Sequence, residues 1–277
     1  MESGVRRARV LPGFGLSLGL VAAFLGVIVL LPLSMLVLKA TELAPAGWWK
    51  LAADPRVRAA FALSFGAALV AAAVNLVAGL LIAWVLVRYP FPGKGLVNAL
   101  VDLPFALPTA VAGITLTAVF SVHGWLGAPL AAAGIAVAYT PLGVVVALLF
   151  VGLPFVVRTL QPVLEDLRPE LEEAAISLGA TRWQTIRRVI WPELLPAAAT
   201  GFALAFARGV GEYGSVVFIS GNLPGRTEIA PLLVVGRLES YDVPGAAAIA
   251  VILLACSLAL LLVINGLQTW GRLARPA

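Results

Sequence analysis

Six apolar runs divide the chain, at residues 16–38, 60–87, 99–122, 135–157, 194–219 and 245–267. Each reaches the ~20 residues, at about 1.5 Å of rise apiece, that an α-helix needs to cross a bilayer. The pattern predicts an all-α polytopic membrane protein with about six transmembrane helices. The first run has Arg6, Arg7 and Arg9 ahead of it and Ala44-Pro45-Ala46 behind, as a signal peptide would. A signal core is only ~7–15 residues, however, and this run is longer.

Charge orients the runs. Alternating the loops from a cytoplasmic N-terminus puts twelve basic residues inside: Arg6, Arg7, Arg9, Arg88, Lys94, Arg158, Arg168, Arg182, Arg187, Arg188, Arg272 and Arg275. Six fall outside: Lys39, Lys50, Arg56, Arg58, Arg226 and Arg237. The excess predicts both termini in the cytoplasm. The stretch 39–58 runs against the trend, being basic yet outside. Trp270 suits an interfacial anchor.

The longest polar stretch, 158–193, reads as a cytoplasmic loop with two short helices. Pro169 fits a first helical position, and Glu170, Glu172 and Glu173 complement the positive end of a helix dipole. Leu171, Ala174, Ala175 and Leu178 recur at i, i+3, i+4 and i+7, and Gly179 follows as a left-handed cap. Thr181 and Gln184 have capping-box spacing. Trp183, Ile186 and Ile190 then share a face, Arg187 and Arg188 fill the last turn, and Pro192 is expected to stop the helix. A DNA-reading helix–turn–helix would need a third helix and access to duplex, which a loop held between two spans does not give.

Polar groups inside the runs are few. Arg208 and Glu212 stand four residues apart and can pair on one helix face. Arg208 lies 14 residues, or ~21 Å, beyond Leu194. Charges at such depth face a bundle interior or an aqueous path, so the pair reads either as part of an anion pathway or gate, or as a structural ion pair. Pro104 and Pro108 interrupt the third run, either as a broken helix at a solute site or as a kink near the surface, where Asp102 could cap a helix. Asn75 and Asn265 read as helix–helix hydrogen bonds.

Composition agrees and removes other classes. Hydrophobic residues make up 61% of the 277 and charged residues 12%, with mean hydropathy +1.01. Soluble domains run near 45–50% and 25%. The net charge of +5 then reflects basic loops rather than nucleic-acid binding. A single cysteine, Cys256, and a single histidine, His123, leave no internal disulfide, no thiolate metal site and no histidine-based catalytic cluster. No GxxxxGK[ST] is present, so the chain has no P-loop with which to hydrolyse ATP.

The sequence EEAAISLGATRWQTIRRVIWPELLP resembles the coupling loop of bacterial binding-protein-dependent ABC permeases. Glu173, Ala174, Ala175, Gly179, Val189, Trp191 and Pro192 fall at that family's motif positions, with Trp191 where leucine is usual. The resemblance implies a type I importer permease fold with a cytoplasmic coupling helix pair that docks into a separate ATPase. Glu173 would meet a basic group there or cap its own helix. From about Ala59 onward, segments such as DLPFALPTAVAGI and GEYGSVVFISGNLPGRTEIAPLL resemble the sulfate/thiosulfate permeases, with molybdate/tungstate permeases the next most similar. The domains implied are 1–58 (tail, first span and outer loop), 59–270 (permease transmembrane domain, coupling loop 158–193) and 271–277 (cytoplasmic tail). Implied partners are a second, CysW-like permease, two CysA-like ATPase subunits that carry ATP and Mg, and a periplasmic or lipid-anchored binding protein. The location implied is the bacterial inner membrane. The other classes left open are a non-transporting scaffold for an ATPase and a membrane enzyme, the latter without any supporting residue cluster.

Overall fold

A computed structural model describes residues 14–273. Helix α1 (Phe14–Thr41) passes through a π-helical turn at Gly26–Leu30. From Phe14 to Leu30 no residue is fully buried by the rest of the chain, and an apolar helix so exposed needs lipid or another protein around it. A short α2 (Pro45–Ala53) leads into α3 (Pro55–Arg88), whose cap Asp54 accepts the Arg56 N–H at 2.8 Å. Then follow α4 (Lys94–Ala106), α5 (Thr109–Phe120), α6 (Gly127–Ala132), α7 (Pro141–Asp166) and α8 (Pro169–Ser177). Helix α9 (Arg182–Val210) precedes α10 (Val216–Ile219), α11 (Ala230–Glu239) and α12 (Val243–Leu273). Among the described residues, five helices are long and apolar enough to span, or six if α4 and α5 form one broken span.

Helices α3, α7 and α9 pack on one another as the centre. Their contact faces carry small residues, among them Ala67, Ala68, Ala71, Ala147, Ala198 and Ala205, which let backbones approach. Asn75 of α3 donates to the Leu149 carbonyl of α7 at 3.1 Å, the predicted interhelical bond. A Cβ on Gly152 would lie 2.7 Å from the Asn75 amide nitrogen, so glycine makes room for it. A second cluster joins α1, α2, α3, α11 and α12 through Ala40, Leu51, Val57, Leu233 and Ile249. Arg6, Arg7, Arg9 and Arg275, and the side chains of Asn265, Trp270 and Arg272, lie outside the described residues.

Four expectations change. The third run breaks as its prolines predict, into two helices meeting at 114°, but only at Pro108, which serves as the N-cap position of α5; Pro104 does not interrupt the run and stays inside α4. The fourth span starts at Pro141, not 135, since Tyr139 adopts φ 64 and its N–H turns to the Ile219 carbonyl (2.7 Å). It also continues to Asp166, which makes Arg158 a helical residue. Pro192 does not stop a helix: α9 runs through it. The π-helical turn Ile186–Ile190 just before widens the ladder, with Trp191 N–H bonded to Ile186, so the ring is accommodated. Finally, the helix ends at Val210, leaving Glu212 just beyond it.

Candidate functional site

Two polar regions stand out, one at each end of α9. At the first, α7 turns through Leu167 and Arg168 into α8, with Pro169 at the first turn alongside Glu170 and Glu172. A Schellman closure ends α8: Ala180 N–H donates to Ala175 (3.0 Å) and Gly179 N–H to Ile176 (2.9 Å). Gly179 holds φ 84, a left-handed geometry that a Cβ disfavours. The predicted capping box opens α9 at once. Thr181 N–H donates to the Gln184 side chain (2.8 Å), and Gln184 N–H returns to Thr181 Oγ1 (3.3 Å).

Side chains on this corner face outward. Leu178 is 89% exposed and Trp183 68%, with Leu171 and Ile176 exposed as well. Glu173 and Ala174 are exposed and Ala175 is half-buried. The corner therefore brings Glu173, Ala174, Ala175 and Gly179 together, whereas Pro192 stands further along α9, half-buried. Sequence reasoning missed one tie. Glu172 pairs with Arg88 at the end of α3 (2.5 Å), and Arg88 lies 5.3 Å over the Trp84 ring.

At the far end of α9, Glu212 is 1% exposed. One carboxylate oxygen accepts from both the N–H and the hydroxyl of Ser215, each at 2.9 Å. The other pairs with Arg208 at 2.5 Å, and Arg208 keeps 36% of its side chain accessible. Pairing and hydrogen bonding offset the cost of burying the carboxylate. This turn lies against the start of α5. A Cβ on Gly113 would fall 2.4 Å from the Ser215 carbonyl oxygen, and one on Gly214 would fall 2.2 Å from Thr109 Oγ1. The structure thus joins the Pro108 break to the Arg208–Glu212 pair, with Pro104 one turn back inside α4.

Asp102 does not cap a helix. Helix α4 already begins at Lys94, so Asp102 sits in its interior and pairs with Arg158 of α7 (2.5 Å). No cluster of three His, Cys, Asp or Glu side chains suited to a metal occurs among the described residues.

The family model of binding-protein-dependent transport system inner membrane components matches residues 75–271. The chain is 53% identical over 269 residues to the sulfate transport system permease protein CysT of Escherichia coli (strain K12), covering 97% of each. It is also 53% identical over 249 residues to the protein of the same name from Synechocystis sp., covering 90% of this chain and 87% of that one. Among solved structures, a bacterial ABC transporter importing the acidic polysaccharide alginate matches with TM-score 0.76 at 15% identity, over 95% of this chain and 96% of that one. The MetNI methionine ABC transporter matches with TM-score 0.54 at 18% identity, over 84% and 100%. These last two likenesses speak for the fold.

Proposed function

The chain belongs to the family of binding-protein-dependent transport system inner membrane components, and we propose that it is the permease subunit of an ATP-binding-cassette importer for sulfate. The observation that carries this is the 53% identity over 97% of both chains with a sulfate permease. The subunit is multi-pass and itself non-catalytic. It works beside a second permease, above two ATPase subunits that bind ATP and Mg, and receives its anion from a binding protein. Both termini face the cytoplasm.

The α8–α9 corner supports the coupling half of this reading. Its exposed Leu178 and Trp183 give an ATPase cleft an apolar surface, and Gly179 sets the angle between α8 and α9. Glu173, free of intrachain partners among the described residues, is available to a basic group on the ATPase. A stiff helical corner transmits displacement because its packing has discrete arrangements rather than a continuum.

The Arg208–Glu212 pair supports the transport half. Sulfate keeps both charges at neutral pH and needs charge-assisted donors when desolvated. Arg208 retains accessible surface for such contact, and Glu212 tempers its charge so that the anion leaves again. Thiosulfate is the expected second substrate.

Labelled-sulfate uptake in a strain dependent on this chain tests the reading. Sulfate and thiosulfate should compete with the label, and equimolar molybdate should not. No chain-dependent uptake of labelled sulfate, or uptake that equimolar molybdate blocks far more than equimolar unlabelled sulfate does, would overturn the sulfate reading. Arg208→Ala should cut uptake by about tenfold or more, the range of lost charge-assisted contacts, with ATPase still co-purifying. Normal uptake by that variant would remove Arg208 from the path.

A further inference from the structure

Helix α4 is loosely held. It packs chiefly on α7 and buries a single residue, Val101. Phe105 adds an edge contact to Phe155 of α7, with centroids 5.1 Å apart. Against this thin apolar contact stands a dense polar one. Arg158 of α7 spends all five guanidinium N–H donors. Nε and Nη2 fork onto the two oxygens of Asp102 (2.7 and 2.5 Å). Nη1 reaches Asn98 Oδ1 (2.8 Å) and Gln161, and Nη2 reaches the Asn98 carbonyl (2.9 Å). Asn98 and Asp102 are one turn apart, so both present the same face of α4.

The position of this clamp matters. Arg158 lies eight residues before the end of α7, ~12 Å along the axis, and α7 turns directly into α8. At its other end α4 stops at the 107–108 break, and α5 beyond it lies against the Glu212 turn through Thr109–Gly214 and Gly113–Ser215. A displacement of α8 moves α7 covalently, and it reaches the middle of α4 through what fastens α4 to α7; the Glu172–Arg88 pair ties α8 only to the end of α3, from which residues 89–93 lead to the start of α4.

We propose that Arg158 is the positioning residue that makes α4 travel with α7, so that the stroke of the α8–α9 corner reaches the broken span. It acts through Asp102 and Asn98 and need not touch the anion. Only a planar five-donor group satisfies this arrangement; lysine supplies one charge and no fork. The inference rests on the importer reading: both readouts use its ATPase, and only the structural one is independent of which solute is carried.

The test uses the assembled complex in lipid vesicles with its binding protein. Arg158→Gln should lower sulfate imported per ATP hydrolysed by about fivefold or more, while binding-protein-stimulated hydrolysis stays within about twofold of the original. Arg158→Lys should fall between the two. Asp102→Asn should act in the same direction, and adding it to Arg158→Gln should change little further, as groups in one network are non-additive. Independently of the anion, spin labels at the exposed positions Leu96 of α4 and Leu142 of α7, in a Cys256→Ala background, report whether the helices move together. Their distance distribution should keep its width between nucleotide-free and ATP-bound, hydrolysis-blocked states, and broaden with Arg158→Gln. Unchanged import per ATP, hydrolysis and import falling in step, or an unaltered label distribution would each overturn the proposal. If Arg158→Gln fails to insert, Asp102→Asn carries the same two readouts with the guanidinium retained. Absence of sulfate import by the unsubstituted complex would instead count against the importer reading, with the label distances still deciding on the clamp.

Discussion

The two ends of the bundle solve opposite problems. At the α8–α9 corner the backbone is fixed by local caps while the apolar side chains stay exposed. At the far end, polar groups are buried and paired. Glu228 takes a bidentate Arg56 (both contacts 2.7 Å), Leu223 N–H donates to Thr227 Oγ1 (2.9 Å), and Ala230 N–H donates to Ser64 Oγ (2.8 Å). Those buried polar groups find their partners within this chain. The corner has a defined shape without a core of its own, which is what an element needs if another protein is to bury it. Backbone satisfaction and side-chain burial, usually supplied together, are here supplied separately.

Glycine substitutions break this comparison most sharply. At Gly113 an added Cβ would meet Ser215 backbone atoms at 2.4–2.9 Å, with no flexible side chain to yield. Gly113→Ala should therefore cost at least the upper part of the ~1–3 kcal/mol typical of overpacking, and little monodisperse protein should survive detergent extraction. Gly179 has nothing within 4 Å, so only its φ of +84 opposes a side chain, at about 1–2 kcal/mol. Gly179→Val should insert and purify with a melting temperature lowered by only a few degrees, roughly 2–4 °C per kcal/mol, yet lose most ATPase co-purification. Full retention of the ATPase would mean that the partner does not read the corner's fixed angle.

An intermediate effect is expected at Arg56. Arg56→Ala leaves the buried Glu228 carboxylate without its countercharge. A fully buried broken pair costs ~3–5 kcal/mol, but Arg56 is 52% exposed, so about 1–2 kcal/mol is expected. Thermal unfolding in detergent measures it. Adding Glu228→Gln should recover part of the loss, because the orphan charge goes with it. A double variant worse than the single one would show that the pair's value lies in shape rather than charge.

The corner was legible in the sequence because its determinants are local. Pro169, Gly179 and the Thr181–Gln184 box each act within a few residues, and all take the geometry their spacing implies. Arg208–Glu212 was legible for the same reason, although the helix ends between its members. What sequence could not supply were partners far along the chain. Asp102 meets Arg158 across 56 residues, Arg88 meets Glu172 across 84, and Arg56 meets Glu228 across 172. Asp102, Arg158, Arg88, Glu172 and Arg56 each also had a bland local explanation, a helix end or a loop, which periodicity alone could not displace. Pro192 misled for a related reason: the π-helical turn that tolerates it has no sequence signal as simple as a cap.

The smallest effect expected is a pH dependence at the far end. Asp242 precedes α12, its Oδ1 accepts the Gly245 N–H (2.9 Å) and its Oδ2 pairs with Arg237 (2.7 Å). The hydrogen bond from Arg237, and then that from Gly245, hold the carboxyl below its ordinary value. Depression in the folded state means that ionised Asp242 adds stability at pH values above its unfolded pKa, near 4. That stability fades as pH falls through the lower folded value. Asp242→Asn separates the two contributions, since asparagine still caps a helix but carries no charge. The variant should melt lower at pH 7 by well under the equivalent of ~1 kcal/mol, as befits a half-exposed pair, and the gap should close as pH drops below about 4. No gap at any pH would assign the stabilisation to the cap, which asparagine keeps, rather than the ion pair. The far end would then rest, like the corner, on local backbone satisfaction, and the contrast between the two ends would narrow to burial alone.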